Sequence, residues 1–214
     1  MRLVERDYAV LRELERWRFA LSRQLRLLGG FASQRTCDRR LRLLIDTRYI
    51  DRKHVLYGIP ALYFATHKGK SLIGTQPKPD KLKVDQIAHD VAVIDTAIYF
   101  HLKREVPLAA ITTEKELHQK DGFGTRQHRP DFVFVSGAKT HCVEVELTSK
   151  SKDRFMKNIR DNFMAYDRQC WIVPRAQVKV RQILEDQTAS YPNIEMFSLE
   201  GVAEYVKQYQ TEVG

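Results

Sequence analysis

The first 75 residues show the hydrophobic periodicity of three short helices, followed by that of two strands. Residues that favour helix N-caps begin the three predicted helices, namely Asp7, Ser22 and Ser33. In the third helix, predicted over residues 34–46, apolar positions recur at intervals of three and four residues and predict one buried stripe. The members of that stripe are Cys37, Leu41, Leu44 and Ile45.

The two predicted strands, residues 49–50 and 62–64, flank a turn-forming segment at residues 57–60. Thr66 then caps a further short predicted helix that runs through Leu72. Three helices followed by a β-hairpin is the element order of a winged helix-turn-helix domain. We therefore expect the third helix to enter the major groove of DNA and the hairpin to contact the backbone.

The polar face of the third predicted helix carries Arg35, Arg39 and Arg42 at positions i, i+4 and i+7. We predict that these three arginines bind DNA. The alternative is a solvated charged face, because Asp38 and Asp46 are both spaced to form an ion pair with Arg42. Arg35 and Arg39 have no acid four residues further on, which favours the DNA-binding interpretation.

A proline-containing segment at residues 76–80 predicts a boundary between a first domain, residues 1–75, and a second domain, residues 81–214. In the second domain we predict helices at 84–103, 151–166, 178–185 and 202–209, and strands at 108–112, 132–135, 142–147, 170–173 and 194–199. This order predicts an α/β (α+β) fold with a mixed sheet flanked by helices. The helix at 151–166 is expected to bury Phe155, Ile159, Phe163 and Tyr166.

Three acids in the predicted hairpin carry the candidate chemistry. Glu144 and Glu146 are two residues apart on one strand and therefore share a face. If Ser136 faces Lys139 in the turn, Asp131 lies opposite Glu144, with Cβ atoms about 5 Å apart. Three converging carboxylates repel one another unless a divalent cation neutralises them, and such a metal ion can polarise a phosphodiester. The alternative is a solvent-facing strand edge without a function.

Other residues near the hairpin are candidates for substrate contacts. Arg126 and Arg129 flank the loop before Asp131 and are expected to contact phosphates. Lys152 lies close to the end of the second strand, and we expect it to contact DNA as well. His89 either approaches the metal site or is a packed histidine that hydrogen-bonds a carbonyl.

Charge is distributed unevenly between the two predicted domains. Residues 1–75 hold 16 Lys and Arg against 7 Asp and Glu, whereas residues 76–214 hold 20 of each. A basic domain of this kind favours a polyanionic partner, most often nucleic acid. A hydrophobic content of 43% excludes a generally disordered chain, and the most apolar stretch, residues 91–100, is too short to span a membrane.

The cysteines and the N-terminal sequence indicate the compartment. Cys37, Cys142 and Cys170 lack the spacing of a zinc site or of a disulfide framework, which favours a reducing environment. The N-terminal residues show no apolar run or cleavage site of a secretory signal. We therefore expect a cytoplasmic protein.

The hairpin sequences RPDFVFV and HCVEVELT resemble the core of the PD-(D/E)xK nucleases, which have the restriction-endonuclease fold. The resemblance implies that Asp131 and Glu144 hold a catalytic Mg²⁺ or Mn²⁺ ion. The lysine of the family falls on Glu146, and in some members a glutamate at this place ligates the metal or takes a proton from the water. A displaced cation is then expected from Lys150, Lys152 or Arg154.

The whole chain resembles the replication-relaxation family of plasmids and other mobile elements, through QIAHDVAVIDTAI, RPD and VEVELTSKSKDRF. That family is similar to mobilisation relaxases with a restriction-endonuclease fold. The resemblance implies a Mg²⁺-dependent, site-specific endonuclease or nickase that acts on double-stranded DNA in plasmid replication or mobilisation. The alternative is a non-catalytic DNA-binding regulator or accessory factor, which Glu146 in the lysine position favours. A homodimer and contacts with other replication or transfer proteins are further expectations.

Overall fold

The computed structural model describes residues 2–55, 57–58, 60–76, 83–121, 128–148 and 151–212. The chain divides into two compact units, the first formed by Met1–Ile94 and Lys207–Gly214 and the second by Asp95–Val206. The first unit holds 20 Lys and Arg against 11 Asp and Glu, and the second holds 16 of each. The excess positive charge therefore belongs to the first unit, as the sequence predicts.

The first unit contains three helices and a small sheet in the predicted order. Its elements up to residue 72 are α1 (Glu5–Trp17), β1 (Ala20–Leu21), α2 (Ser22–Leu28), α3 (Gln34–Asp46), β2 (Ile50–Lys53), β3 (Leu62–Ala65) and α4 (His67–Leu72). The strands form an antiparallel sheet in the order β1-β3-β2. Strand β1 is an addition to the two predicted strands, and the winged-helix assignment stays a prediction.

Two of the four predicted N-caps are confirmed. The Ser33 hydroxyl accepts from the Thr36 amide at 3.3 Å, and the Thr66 hydroxyl accepts from the Gly69 amide at 3.1 Å. The prediction that Asp7 and Ser22 are N-caps is wrong. Helix α1 begins at Glu5 after the N-cap Val4, and α2 begins at Ser22 after the N-cap Leu21. Asp7 lies inside the first turn of α1 and is fully buried.

Contacts of α2 explain why the first unit extends past the predicted boundary at residues 76–80. The Gln24 side chain donates to the Val91 carbonyl at 3.0 Å, and Arg26 Nη1 donates to the Gln210 carbonyl at 2.8 Å. Ile87 also joins a buried cluster with residues of β1 and β3. Residues 77–82 lie outside the described residues, and the separability of residues 1–75 from 81–214 stays a prediction.

The remaining elements build a five-stranded mixed sheet with helices. After a single 3-10 turn at Val84–Gln86, they are α5 (Ile87–Lys103), β4 (Ile111–Thr113), α6 (Glu114–Gln119), β5 (Phe132–Ser136), β6 (Lys139–Val145), α7 (Lys152–Ala165), β7 (Arg168–Val173), α8 (Val178–Gln187), β8 (Ile194–Ser198) and α9 (Leu199–Glu212). The strand order is β4-β5-β6-β7-β8. β4, β5 and β6 are antiparallel, whereas β6, β7 and β8 are parallel. The predicted α+β fold with a mixed sheet is confirmed.

The segment after α5 differs from the prediction of a strand at residues 108–112. Leu108–Ala110 form one 3-10 turn, β4 follows, and the unpredicted helix α6 begins directly after β4. A capping box starts that helix, because Glu116 Oε2 accepts from the Thr113 amide at 2.7 Å while the Thr113 hydroxyl accepts from the Glu116 amide at 3.3 Å.

The buried face of α7 also differs from the prediction. Phe155 and Ile159 are buried as expected, but Phe163 is 37% exposed. Asn158 and Asn162 are buried in its place, at 3% and 2% exposure. These four positions follow the i, i+3, i+4, i+7 spacing of one helix face, whereas residue 163 falls at the margin of that face. Helix α7 therefore places two amide groups against the sheet.

Candidate nucleic-acid interface and carboxylate site

The outer face of α3 presents three arginines to solvent. Arg35, Arg39 and Arg42 are all exposed, as predicted, and none of them forms an ion pair with a residue that the structure describes. Asp38, which we considered as a partner of Arg42, instead accepts hydrogen bonds from Gln34 Nε2 at 2.8 Å and from the Ser22 hydroxyl. The α3 arginines are thus available to an external anion.

A fourth arginine of α3 has a different role. The guanidinium group of Arg40 donates two hydrogen bonds to the carboxylate of the fully buried Asp7. This carboxylate raises the pKa of Arg40 and also accepts from the Val4 amide at 2.8 Å. Arg40 therefore joins α3 to α1, in contrast to the three arginines on the outer face.

A groove of about 600 Å³ lies between α3 and the β2–β3 hairpin. Both basic and acidic side chains line it, so it offers hydrogen-bond donors as well as acceptors. Its lining residues are Asp38, Arg42, Ile45, Asp46, Asp51, Arg52 and Tyr63. The edges of DNA bases present both hydrogen-bond donors and acceptors in the major groove, whereas the phosphate backbone presents acceptors only.

The β5–β6 hairpin in the second unit has the predicted register. Ser136 pairs with Lys139, and Phe132 pairs with Val143 at the other end of the ladder. The same register places Asp131 opposite Glu144. Asp131 Oδ2 accepts from the Val145 amide at 2.7 Å, so its carboxylate points toward β6.

Glu144 is buried in a polar network rather than exposed. It is 4% exposed, and its Oε1 lies 2.6 Å from His128 Nε2 and 2.9 Å from Asn162 Nδ2. Glu146, the residue directly after β6, is 3% exposed. The alternative of a solvent-facing strand edge is therefore wrong for these two acids. Buried carboxylates require hydrogen bonds or a cation, and for Glu144 the protein supplies hydrogen bonds.

The fit of a metal ion to this site depends on how many ligands converge. Among the described residues, no three His, Cys, Asp or Glu side chains form a group that could hold a metal ion. A metal site at Asp131, Glu144 and Glu146 therefore stays a prediction. The facing pair Asp131 and Glu144 fits Mg²⁺ in number and chemistry, because Mg²⁺ commonly uses one or two carboxylates and keeps several waters.

The basic residues predicted around this site have different surroundings. Arg126 and Lys150 lie outside the described residues. Lys152 is the first residue of α7 and is exposed. Arg129 forms an ion pair with Asp121, and the hydrogen bond from Arg129 is the main cause that lowers the pKa of Asp121. A phosphate at Arg129 would compete with this carboxylate.

His89 and the cysteines complete the predicted candidates. His89 belongs to the first unit, where its Nδ1 lies 3.3 Å from Asp90 Oδ1.

Cys37, Cys142 and Cys170 are free and buried, and burial raises the pKa of Cys37 and of Cys170 to about 12. These thiols therefore remain protonated at neutral pH.

Sequence reasoning missed two partners of Glu144. Asn162 has a detectable signal, because it occupies a position of the buried stripe of α7 where an apolar residue is usual. His128 precedes Asp131 in an irregular segment, and no periodicity indicates its contact.

No family model, curated protein or solved structure matches this chain. Among the described residues, no helix is both long and apolar enough to cross a membrane.

Proposed function

We propose that the protein binds double-stranded DNA through its first unit, as a DNA-binding protein of a mobile element. The observation that carries this proposal is the exposed α3 face, where Arg35, Arg39 and Arg42 lack ion-pair partners among the described residues. The net charge of the first unit, 20 basic against 11 acidic residues, supports the same partner.

The spacing of the arginines suits a duplex. Seven residues of α-helix separate Arg35 from Arg42, a rise of about 10 Å, so the three side chains extend along one helix face. The major groove admits an α-helix, and arginine is the usual bidentate partner of guanine as well as a phosphate ligand. In this proposal α3 is the recognition helix of a winged helix, and the β2–β3 hairpin is its wing.

The test measures binding of a fluorescein-labelled duplex of about 30 mixed-sequence base pairs by fluorescence anisotropy at moderate salt. The triple variant Arg35→Ala, Arg39→Ala, Arg42→Ala should weaken binding by about 100-fold or more, at roughly 1 kcal/mol for each contact. A matched control removes three exposed basic residues of the second unit to which no role is assigned, Lys139, Arg175 and Lys179, and should change affinity little. Equal losses in the two triple variants would argue against a specific role of α3.

A second candidate function is metal-dependent cleavage of a DNA phosphodiester, as in a nickase or relaxase. The β5–β6 register favours it, since Asp131 and Glu144 face each other across the two strands. Asp131 and Glu144 would hold Mg²⁺ or Mn²⁺, with Glu146 directly after the end of β6. When bound, the ion would polarise a phosphodiester oxygen and activate water. The hydrogen bonds that Glu144 makes with His128 and Asn162 favour the alternative of a non-catalytic regulator.

Two measurements distinguish the catalytic from the non-catalytic alternative. Supercoiled plasmid incubated with protein and Mg²⁺ or Mn²⁺ should yield open circles, and Asp131→Asn should abolish them while duplex binding persists. Independently, the melting temperature of the wild type should rise with millimolar Mn²⁺ and that of Asp131→Asn should not. Absence of both effects in the wild type would favour the regulator.

The same proposal places the protein in the cytoplasm. The three free, buried cysteines agree with a reducing compartment, where a protein of a mobile element meets duplex DNA.

A further inference from the structure

The tip of the β2–β3 hairpin carries a tyrosine with no cover from the described protein. Tyr57 has a relative exposure of 107%, so the whole ring meets solvent. Tyrosine normally buries its apolar ring and exposes only its hydroxyl group. Gly58 follows with φ of +80°, a left-handed conformation that favours glycine, so the turn depends on the residue directly after the tyrosine.

Basic and polar residues lead to this ring along β2. Arg52, Lys53 and His54 are all exposed. The Lys53 ammonium group, at the loop end of the β2–β3 ladder, lies 3.8 Å from Asp51 Oδ2 and 6.0 Å from the centre of the Phe64 ring. An exposed aromatic ring beyond exposed cations is the combination with which proteins bind unstacked bases, because the cations hold the phosphates while the ring stacks.

We propose that Tyr57 stacks on a DNA base that has left the helical stack, so that the protein prefers a duplex with an unpaired position beside the site of α3. This inference rests on the proposed DNA binding and extends it from a regular duplex to a locally opened one. Stacking on tyrosine tolerates any base, since every base has a π-face, and therefore selects for local opening rather than for sequence.

An anionic membrane surface is the other polyanion that an aromatic ring among cations could contact. The groove between α3 and the β2–β3 hairpin favours DNA instead, because three aspartates line it together with Arg42 and Arg52. Acidic side chains would be repelled by a uniformly anionic lipid surface. In a DNA groove they meet hydrogen-bond donors of the bases.

The test compares two fluorescein-labelled duplexes that differ only in a short central mismatch, with binding measured by anisotropy. The wild type should bind the mismatched duplex about tenfold more tightly than the matched one. Tyr57→Ala should lose this preference and retain its affinity for the matched duplex. Tyr57→Phe keeps the ring and should retain the preference, as should Val84→Ala, a control at another exposed apolar residue of the first unit.

A 2-aminopurine base at the mismatch provides a second readout. Its fluorescence should change on binding of the wild type and of Tyr57→Phe but not of Tyr57→Ala, which distinguishes stacking from a general loss of fold. Equal preference in the wild type and Tyr57→Ala would overturn the inference and leave the proposed DNA binding intact.

Failure of the wild type to bind either duplex would remove both proposals together. Tyr57-dependent binding to vesicles of phosphatidylserine and phosphatidylcholine, without a mismatch preference, would overturn the inference in favour of a lipid surface.

Discussion

The α3 face and the β5–β6 hairpin region each carry three like charges in the sequence, but the structure exposes the charges of α3 and buries two of those at the hairpin. The three arginines of α3 are exposed and form no ion pair within the described chain. Glu144 and Glu146 are nearly fully buried, and Glu144 is held by His128 and Asn162. Exposed, unpaired charges are available for a partner, whereas buried and hydrogen-bonded charges already contribute to the fold.

The largest expected effect on stability is at Glu144. Glu144→Ala removes a buried acceptor and leaves both the His128 and the Asn162 donors unsatisfied, so the free energy of unfolding should fall by about 3 kcal/mol or more. Arg39→Ala, on the exposed face, should stay within about 0.5 kcal/mol of the wild type. Urea denaturation of both variants measures this contrast.

Glu144→Gln serves as the control, because it keeps an acceptor for Asn162 and should cost less than the alanine variant. A Glu144→Ala protein as stable as Arg39→Ala would show that the acid site is not part of the fold.

A smaller effect should separate two asparagines on the same face of α7. Asn162→Ala removes a hydrogen bond to a buried carboxylate and should cost about 1.5–3 kcal/mol. Asn158 is equally buried, but its Nδ2 has no hydrogen-bond partner in the described part of the chain. Asn158→Ala should therefore cost less than Asn162→Ala. Thermal or urea unfolding of the pair checks this, and the reverse order would contradict the network around Glu144.

A substitution of Arg48, in the basic first unit, should raise the free energy of unfolding rather than lower it. It follows α3 with φ of +59°, in the left-handed region, where a non-glycine residue costs about 1 kcal/mol. Arg48→Gly should therefore raise the free energy of unfolding by up to about 1 kcal/mol. We expect the same variant to bind duplex DNA more weakly, because Arg48 is exposed beside α3. Arg48→Ala, which keeps the strain, should weaken DNA binding without the gain in stability.

The smallest expected effect is a pH dependence in the second unit. Burial lowers the pKa of His141, whose ring stacks on Phe134 at 4.6 Å between centres. As the pH falls through 6.5, the unfolded chain binds a proton that the folded protein resists, so stability decreases. His141→Phe keeps an aromatic ring and should flatten the difference in unfolding free energy between pH 7 and pH 5. An unchanged slope would show that His141 does not cause it.

Local patterns predicted the fold better than the site. The β5–β6 register follows from the turn at residues 136–139 and is confirmed. The α3 stripe follows from the helical period and is confirmed at Cys37, Leu41 and Leu44, whereas Ile45 is only partly buried and lines the groove. The capping box of Thr113 and Glu116 is also a local sequence pattern, and it explains why α6 begins directly after β4. The extent of the first unit was not readable, because it depends on contacts of α2 with residues far away in sequence, Val91 and Gln210.

The surroundings of Glu144 and Glu146 also depend on tertiary contacts that local sequence patterns do not show. Alternation along β6 places Glu144 and Glu146 on one face, but it does not reveal that this face is covered. The cover comes from α7 through Asn162 and from His128 in an irregular segment. Burial of a strand face depends on tertiary packing, so the hydrogen bonds that hold Glu144 could not be predicted from the strand pattern.

The salt dependence of DNA binding tests the central claim most directly. The dissociation constant of a duplex is measured over a series of salt concentrations for the wild type, the α3 triple variant and the control triple variant at Lys139, Arg175 and Lys179. If the three α3 arginines contact phosphates, the slope of log Kd against log salt should decrease by about 2.7 in the α3 variant, and the control variant should keep the wild-type slope. Unchanged affinity and slope in the α3 variant would contradict the account.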